Sequence, residues 1–311
     1  MEDKFDIINN KKFTSFLIKN INSIWGSSKG NDNMFPGARP VSLERKNFEK
    51  LKKYDYYIGP RTRGDRCILY FLNDKNGKNQ SVFINRNLQV FNANISADDS
   101  IYYGTIFDGE LYINEDEIKF SIHDSPIICS NRINKNHFHD RLDEIKCCVE
   151  NTIDVSNTVK IDVKKFFPMT DINSFKNYYQ DSDTQGMVFI PESLPVISGT
   201  QYSMFIWGPV DGHSFDFQMI ENEDDITVKV FNLGEMINFA SIDYSSDEGK
   251  IFIDSLKNLD NYKSGSIVRC SFNKVFIPSK VMCDKTHPNS LRTVERTLFN
   301  IYENIIFEEF E

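Results

Sequence analysis

Hydrophobic positions along this chain switch between two spacings. Phe13, Phe16, Leu17, Ile21 and Ile24 recur at helical intervals and predict an amphipathic helix over 12–24. A polar Gly/Ser/Asn stretch at 26–33 reads as a loop, and a short helix is expected over 44–51. From Tyr54 the pattern changes: an apolar strand, a sharp polar turn around Gly64 and a second apolar strand over 67–72 read as a hairpin-like unit. Residues 81–91 read as strand, turn and strand. Residues 105–113 read as an apolar strand broken by Asp108-Gly109-Glu110, with a further strand at 119–124. A helix is expected over 137–151. A strand-rich, Gly-punctuated stretch over 215–276 fits a small barrel. Pro288-Asn289-Ser290 is a cap signal for a closing helix over 291–307, ahead of an acidic end. The pattern as a whole is α+β.

Composition narrows the class. The chain has 311 residues, 40% of them hydrophobic, with 26 Phe and 13 Tyr, which is too apolar for disorder and enough for one large domain or two. The formal net charge of −9 excludes a whole-protein basic field, so any RNA contact is expected to be local to a cleft. The six cysteines have no CxxC pairing and read as reduced structural thiols. His137 and His139 lie close together, but a metal site there lacks cysteine or carboxylate support in the sequence. Met1-Glu2-Asp3-Lys4 has no signal-peptide character and no apolar run approaches the length of a span. The expectation is an intracellular chain, nuclear or cytoplasmic (in a viral factory if viral), with no membrane partner.

The candidate chemistry sits in the turn around Gly64. Arg61, Arg63 and Arg66 fall within six residues, and three guanidiniums so close repel one another unless an anion collects them. A solvated basic turn is the plainer reading of the same residues.

Arg61-Thr62-Arg63-Gly64-Asp65-Arg66 resembles motif I, Lys-x-Asp-Gly-x-Arg, of the covalent nucleotidyltransferases, the mRNA capping guanylyltransferases and polynucleotide ligases. Gly64 and Arg66 match; the nucleophilic Lys is Arg61 and the Asp is Arg63. The preceding Phe35-Pro36-Gly37-Ala38-Arg39-Pro40-Val41-Ser42 resembles the lead-in of the cellular capping branch, with Arg39 where that branch usually has Gln. An Asn85-Arg86 element, Asp108-Gly109-Glu110 (motif III), Lys119 to Asp124 with His123 at the aromatic, base-packing position (motif IIIa), and Gln185-Gly186-Met187-Val188-Phe189 (motif IV) follow in order. Ile206-Trp207-Gly208-Pro209 takes the place of motif V, and Lys280-Val281-Met282-Cys283-Asp284-Lys285 that of motif VI. The resemblance implies a nucleotidyltransferase domain of antiparallel sheets with flanking helices at 1–212 and a C-terminal OB-fold β-barrel at 213–289, with the closing helix at 290–311 packing back on the first domain.

The departures from the family pattern bear on chemistry. A lysine amine can lose its proton and attack an α-phosphate, whereas a guanidinium is permanently protonated and delocalised. Gln185 and Arg63 replace carboxylates, and Ile206 and Gly208 replace phosphate-binding lysines, while Met282 and Lys280 replace motif VI arginines. Mg²⁺ prefers several charged oxygens, and only Glu110 is left to offer them. The resemblance therefore implies a guanylyltransferase-like pseudoenzyme that binds a guanine nucleotide, capped RNA or another capping or transcription protein, without a cofactor. Its candidate nucleotide- or phosphate-binding residues are Arg61, Arg63, Arg66, Arg86, Glu110, His123, Lys280, Asp284 and Lys285. Arg61 and Arg63 paired with Glu110 and Asp65, simply closing the pocket, is the structural alternative. Two functional alternatives stand beside it: an active mRNA guanylyltransferase that needs Mg²⁺ or Mn²⁺ and draws its nucleophile from Lys52, Lys53 or Lys285, and an OB-fold RNA-binding module.

Overall fold

The computed structural model describes residues 1, 4–26, 35–74, 77–114, 117–180, 184–283 and 285–311. Asp284 lies outside them. The chain divides into two compact units, one of residues 1–41 and 47–207, the other of residues 42–46 and 208–311.

The first unit begins with α1 (Lys11–Trp25), capped at its start by Asn10 and closed by Gly26 at φ 73°. After β1 (Ala38–Ser42) and α2 (Phe48–Lys53) come β2 (Tyr56–Arg61), β3 (Asp65–Asn73), β4 (Asn79–Asn85), β5 (Val90–Asn92), β6 (Thr105–Ile113), β7 (Ile118–Ile128) and β8 (Asn131–Arg132). Helix α3 (Phe138–Thr152), β9 (Val159–Val163), β10 (Phe167–Pro168), α4 (Ile172–Gln180), β11 (Gly186–Pro191) and β12 (Gly199–Trp207) complete the unit. One sheet runs β5-β4-β3-β6-β7-β8, with β9 parallel to β7, and the other runs β1-β12-β11-β2-β10.

Alternation along β3 explains its central place. Cys67, Leu69 and Phe71 enter a cluster with Phe83, Phe107 and Phe120, on the side where α3 contributes Ile145 and Cys148. Ile68, Tyr70 and Leu72 enter another cluster with Leu17, Ile21 and Trp25 of α1. A continuous apolar run is thus a strand covered on both faces.

The expected hairpin is not formed. β2 pairs with β11 and β10, while β3 pairs with β4 and β6, so the turn at Gly64 carries the chain from one sheet to the other. The reason is that both strands are apolar enough to need separate partners on each side. Likewise β6 runs unbroken through Asp108-Gly109-Glu110, and the irregularity is in its partner. Asp108 pairs with Asp124 and Gly109 with Ile122, which leaves His123 as an extra residue in a bulge.

The second unit holds β13 (Ser214–Glu221), β14 (Asp225–Asn232), β15 (Glu235–Asp243), α5 (Asp247–Lys257), β16 (Ile267–Asn273), β17 (Val275–Val281) and α6 (Leu291–Glu303). Its sheet order is β15-β14-β13-β16-β17. Where a closed barrel is expected from the sequence, the pairings among the described residues leave the sheet open, with β15 and β17 at its edges. Helix α5 interrupts the stretch that reads as strands: Ile251-Phe252-Ile253 looks like a β run, but a Ser246 cap starts a helix that buries Phe252, Ile253 and Leu256. Helix α6 differs from expectation too. It starts at the expected Ser290 cap, and Val294, fully buried, joins Phe215, Phe217 and Met219 in the core of the second unit. Arg45, on the short segment assigned to this unit, donates to the Glu303 carbonyl and the Glu309 carboxylate.

Helix α3 ties the first unit together. Phe138 and Leu142 pack in a cluster with Ala38, Ile190 and Met204 of the five-stranded sheet's side, while Ile145 and Cys148 reach the other core. Between these faces Arg141, 1% exposed, donates from Nε and Nη2 to the two oxygens of Asp124 at 2.8 Å each. Removing one member of such a pair leaves a buried charge and costs about 3–5 kcal/mol, whereas exchanging both for apolar groups is often near neutral. Urea unfolding of Arg141→Met is expected to show a loss of that order, most of it recovered in Arg141→Met with Asp124→Leu. A single-variant loss within about 0.5 kcal/mol, the ordinary range for a surface substitution, would contradict the bracing role.

Candidate functional site

The crossing from β2 to β3 builds the site. Only Thr62, Arg63 and Gly64 span the gap between Arg61 on one sheet and Asp65 on the other. Gly64 is needed for close approach: a Cβ there would lie 2.7 Å from the Tyr112 ring and 2.8 Å from Cβ of Glu110. Gly37 serves the same purpose, since its Cβ would lie 2.6 Å from Nη2 of Arg66 and 2.7 Å from Oδ2 of Asp108. Beside the crossing is a cavity of about 750 Å³, lined from both sheets and of a size suited to a nucleotide-sized molecule.

Three carboxylates line it, and each is taken by a cation of the protein itself. Arg66 donates from Nε to Asp108 Oδ1 at 2.9 Å and from Nη2 to Oδ2 at 2.5 Å. His123, aimed by its bulge, places Nε2 3.3 Å from the same Oδ1. Burial alone would raise the Asp108 pKa, but the charges of Arg66 and His123 outweigh it and hold the carboxyl well below its ordinary range. Lys164, just past β9 and 7% exposed, donates from Nζ to Glu110 Oε2 and to Thr62 Oγ1, each at 2.9 Å. Tyr112 donates its hydroxyl to the same Glu110 oxygen at 2.8 Å. Burial pushes Glu110 up, and Lys164, His123 and the Thr62 hydrogen bond pull it further down, for a net lowering. Asp124 belongs to Arg141, as described above.

Three further guanidiniums line the cavity, and none has a carboxylate within 4.0 Å or a side-chain hydrogen bond among the described residues: Arg39, Arg61 and Arg86. Nε of Arg39 is buried without any partner. Burial lowers the Arg61 pKa against the more distant pull of Glu110. Arg86 is more open to solvent, yet the surrounding protein, then the charge of Arg66, lower its pKa as well. Both stay charged at neutral pH, because a guanidinium does not give up its proton in that range.

The residues singled out in the sequence separate into groups. Arg61, Arg66, Arg86, Glu110, His123, Gln185 and Ile206 line one cavity. Arg63 is exposed and faces a neighbouring recess with Asp65 and Tyr112. The partner of Glu110 is Lys164, where the sequence suggested Arg61 or Arg63. Lys280 and Met282 belong to the second unit, Lys280 exposed on β17 and Met282 buried. Lys285 is also there, bonded with Arg269 to Asp216. Gly208 begins the longer stretch of that unit. Lys52 and Lys53, offered above as stand-in nucleophiles, are exposed on α2 and do not line the cavity. The lysine that does is Lys164, and sequence reading missed it. Lys164-Lys165 follows a short strand with no motif to mark it, and only the parallel pairing of β9 with β7 delivers it to Glu110. Arg39 stood out in the sequence as a departure from the family pattern, without a role. Asp124 and Arg141 lie in stretches that resemble the family, but their pairing across 17 residues of chain carried no signal in the sequence.

Among the described residues, no helix is long and apolar enough to cross a membrane. The mRNA-capping enzyme subunit alpha of Yarrowia lipolytica is 26% identical over 308 residues, covering 86% of this chain and 78% of the relative. That of Schizosaccharomyces pombe is 22% identical over 321 residues, covering 88% of this chain and 78% of the relative. Of solved structures, the ATP-dependent DNA ligase from bacteriophage T7 in complex with ATP superposes with a TM-score of 0.41 and 11% identity, over 82% of this chain and 97% of that one. The family model for the catalytic domain of mRNA capping enzymes matches residues 7–210, more than half of the sequence. By that match, this chain belongs to the mRNA capping enzyme family.

Proposed function

We propose that the first unit is a guanylyltransferase-like domain that holds the phosphates of a guanine nucleotide, or of an RNA 5′ end, without forming a covalent bond to them. One observation carries this reading: every carboxylate lining the cavity is satisfied internally, while Arg39, Arg61 and Arg86 are left to meet an anion. Such guanidiniums bind phosphate oxygens by charge-assisted, bidentate bonds. They also take over the charge neutralisation that a divalent ion would supply. A divalent cation needs carboxylate oxygens with lone pairs to spare, and here the nearest ones are committed to Arg66 and Lys164. Apolar groups such as Val188, Met204 and Ile206 in the same lining offer a surface for a base.

The covalent step of the family lacks its amine in this chain. Arg61 stands at the nucleophile position, and Lys164 holds its ammonium against a carboxylate, a hydroxyl and, at 3.4 Å, the Pro60 carbonyl. Those three contacts commit the Lys164 side chain inside the protein, away from a phosphorus atom in the cavity. In the second unit, five antiparallel strands with α5 inserted between the third and fourth support an OB-like reading, with its use in RNA binding or in docking another capping or transcription protein. On this reading the protein serves capping as a binding or scaffolding member.

Incubation with α-labelled GTP and Mg²⁺ or Mn²⁺ is expected to leave the denatured protein unlabelled. Arg61→Lys should remain unlabelled as well, because Gln185, Ile206 and Gly208 are unchanged. A protein–GMP adduct on the wild-type chain, mapped by mass spectrometry to Lys164 or any other lysine, would overturn the non-catalytic reading.

Calorimetric titration tests the pocket separately. GTP or a cap analogue is expected to bind equally well with EDTA as with Mg²⁺. Since a hydrogen bond to a charged group contributes about 1.5–3 kcal/mol, Arg61→Ala should weaken binding by about 10- to 100-fold. An affinity untouched by both Arg61→Ala and Arg39→Ala would remove the cavity from the account.

A further inference from the structure

Two imidazoles and a carboxylate meet at the start of α3, among residues that the cavity does not use. The ligand atoms of His137, His139 and Glu192 all lie within 4.8 Å of one another. Backbone contacts fix this meeting. The Phe138 N–H donates to the Glu192 carbonyl at 2.8 Å, and the Glu192 N–H donates to the Asp55 carbonyl at 2.9 Å. Nδ1 of His137 lies 3.4 Å from Glu192 Oε1, and Nδ1 of His139 contacts the same oxygen. On the far side of its ring, Nε2 of His139 lies 3.1 Å from Asp140 Oδ1.

We propose that His137, His139 and Glu192 form a site for a divalent transition-metal ion of the Zn²⁺ class, with water completing its coordination. Zinc binds imidazole nitrogen and carboxylate oxygen at about 2.0–2.2 Å, so tetrahedral ligands stand about 3.3 Å from each other. The His137–Glu192 spacing of 3.4 Å meets that requirement as it stands. The closer His139–Glu192 contact is a hydrogen bond, which opens when a cation replaces the shared proton. Asp140 then accepts from Nε2–H of His139, which fixes the tautomer and turns the Nδ1 lone pair toward the ion. Two imidazoles favour Zn²⁺, Co²⁺ or Ni²⁺ over Mg²⁺ and Ca²⁺. Both histidine side chains are at least half exposed, so an ion has a path in.

The consequence is mechanical. Such an ion clamps the first turn of α3, which carries Arg141, to the residue that follows β11, the strand of Val188 and Ile190 in the cavity wall. It braces the pocket without entering it.

Titration of the metal-stripped full chain with Co²⁺, followed by absorption, tests the proposal, with Zn²⁺ affinity measured by competition against a chromophoric chelator. One Co²⁺ per chain is expected, with no thiolate-to-metal charge-transfer band and no competition from Mg²⁺. His139→Ala and Glu192→Gln should each weaken binding at least about tenfold, and Asp140→Asn by a smaller, measurable factor. Circular dichroism verifies that these variants are folded, and the Cys147→Ser/Cys283→Ser double variant should bind as the wild type does. Wild-type chain that takes up no Co²⁺ or Zn²⁺, full-strength binding in both His139→Ala and Glu192→Gln, or loss only in the cysteine variant would overturn the assignment.

Discussion

Three carboxylates on two adjacent strands must be neutralised beside one cavity, and the groups that neutralise them decide what the cavity can hold. Asp108 and Asp124 are almost wholly buried and pair across β6 and β7. Left without partners, each would cost several kcal/mol. Arg66 and Arg141 grip them bidentately, and Lys164 takes Glu110. Among the described residues, each carboxylate lining the cavity thus has a cationic partner inside the protein. The same lining has a surplus of guanidiniums. The sign of the charge left around the cavity follows from this arrangement.

The fold makes the arrangement through three local devices. A three-residue crossing carries the chain between sheets and brings Arg61 and Arg66 to the same cavity from different strands. A glycine in that crossing lets the backbone lie against Glu110 and Tyr112. A bulge in β7 turns His123 toward Asp108, so a residue expected to pack on a base is held in an ion-pair network. Helix α3 then locks β7 from behind through Arg141.

Much of this was legible in the chain. The order of motifs from Phe35 onward identified the family, apolar periodicity located α1, the helix read over 137–151 is α3 to within a residue, and the Ser290 cap signal marked the start of α6. What the sequence withheld depends on pairing at a distance. The strands flanking Gly64 look like a hairpin because short turns usually join partners, yet each finds a better partner in a different sheet. Helix α5 hid in a β-like triplet whose helical spacing shows only once Leu256 is counted with it. Lys164 stayed hidden because a parallel pairing, invisible in local pattern, sets its place, and Glu192 stayed apart from His137 and His139 for a similar reason. Arginine at the nucleophile position was readable from the start, since its meaning is chemical and needs no fold.

The central claim is that the cavity accepts phosphate oxygens without a divalent ion between them and the protein. A crystal structure of the protein soaked with GTP and Mn²⁺, with anomalous scattering recorded for the manganese, addresses it directly. The expected result is phosphate density against Arg39, Arg61 and Arg86, with Lys164 still on Glu110 and no anomalous peak at that carboxylate. Manganese bound to Glu110 with Lys164 displaced, or density continuous from a phosphorus atom to Nζ of Lys164, would contradict it.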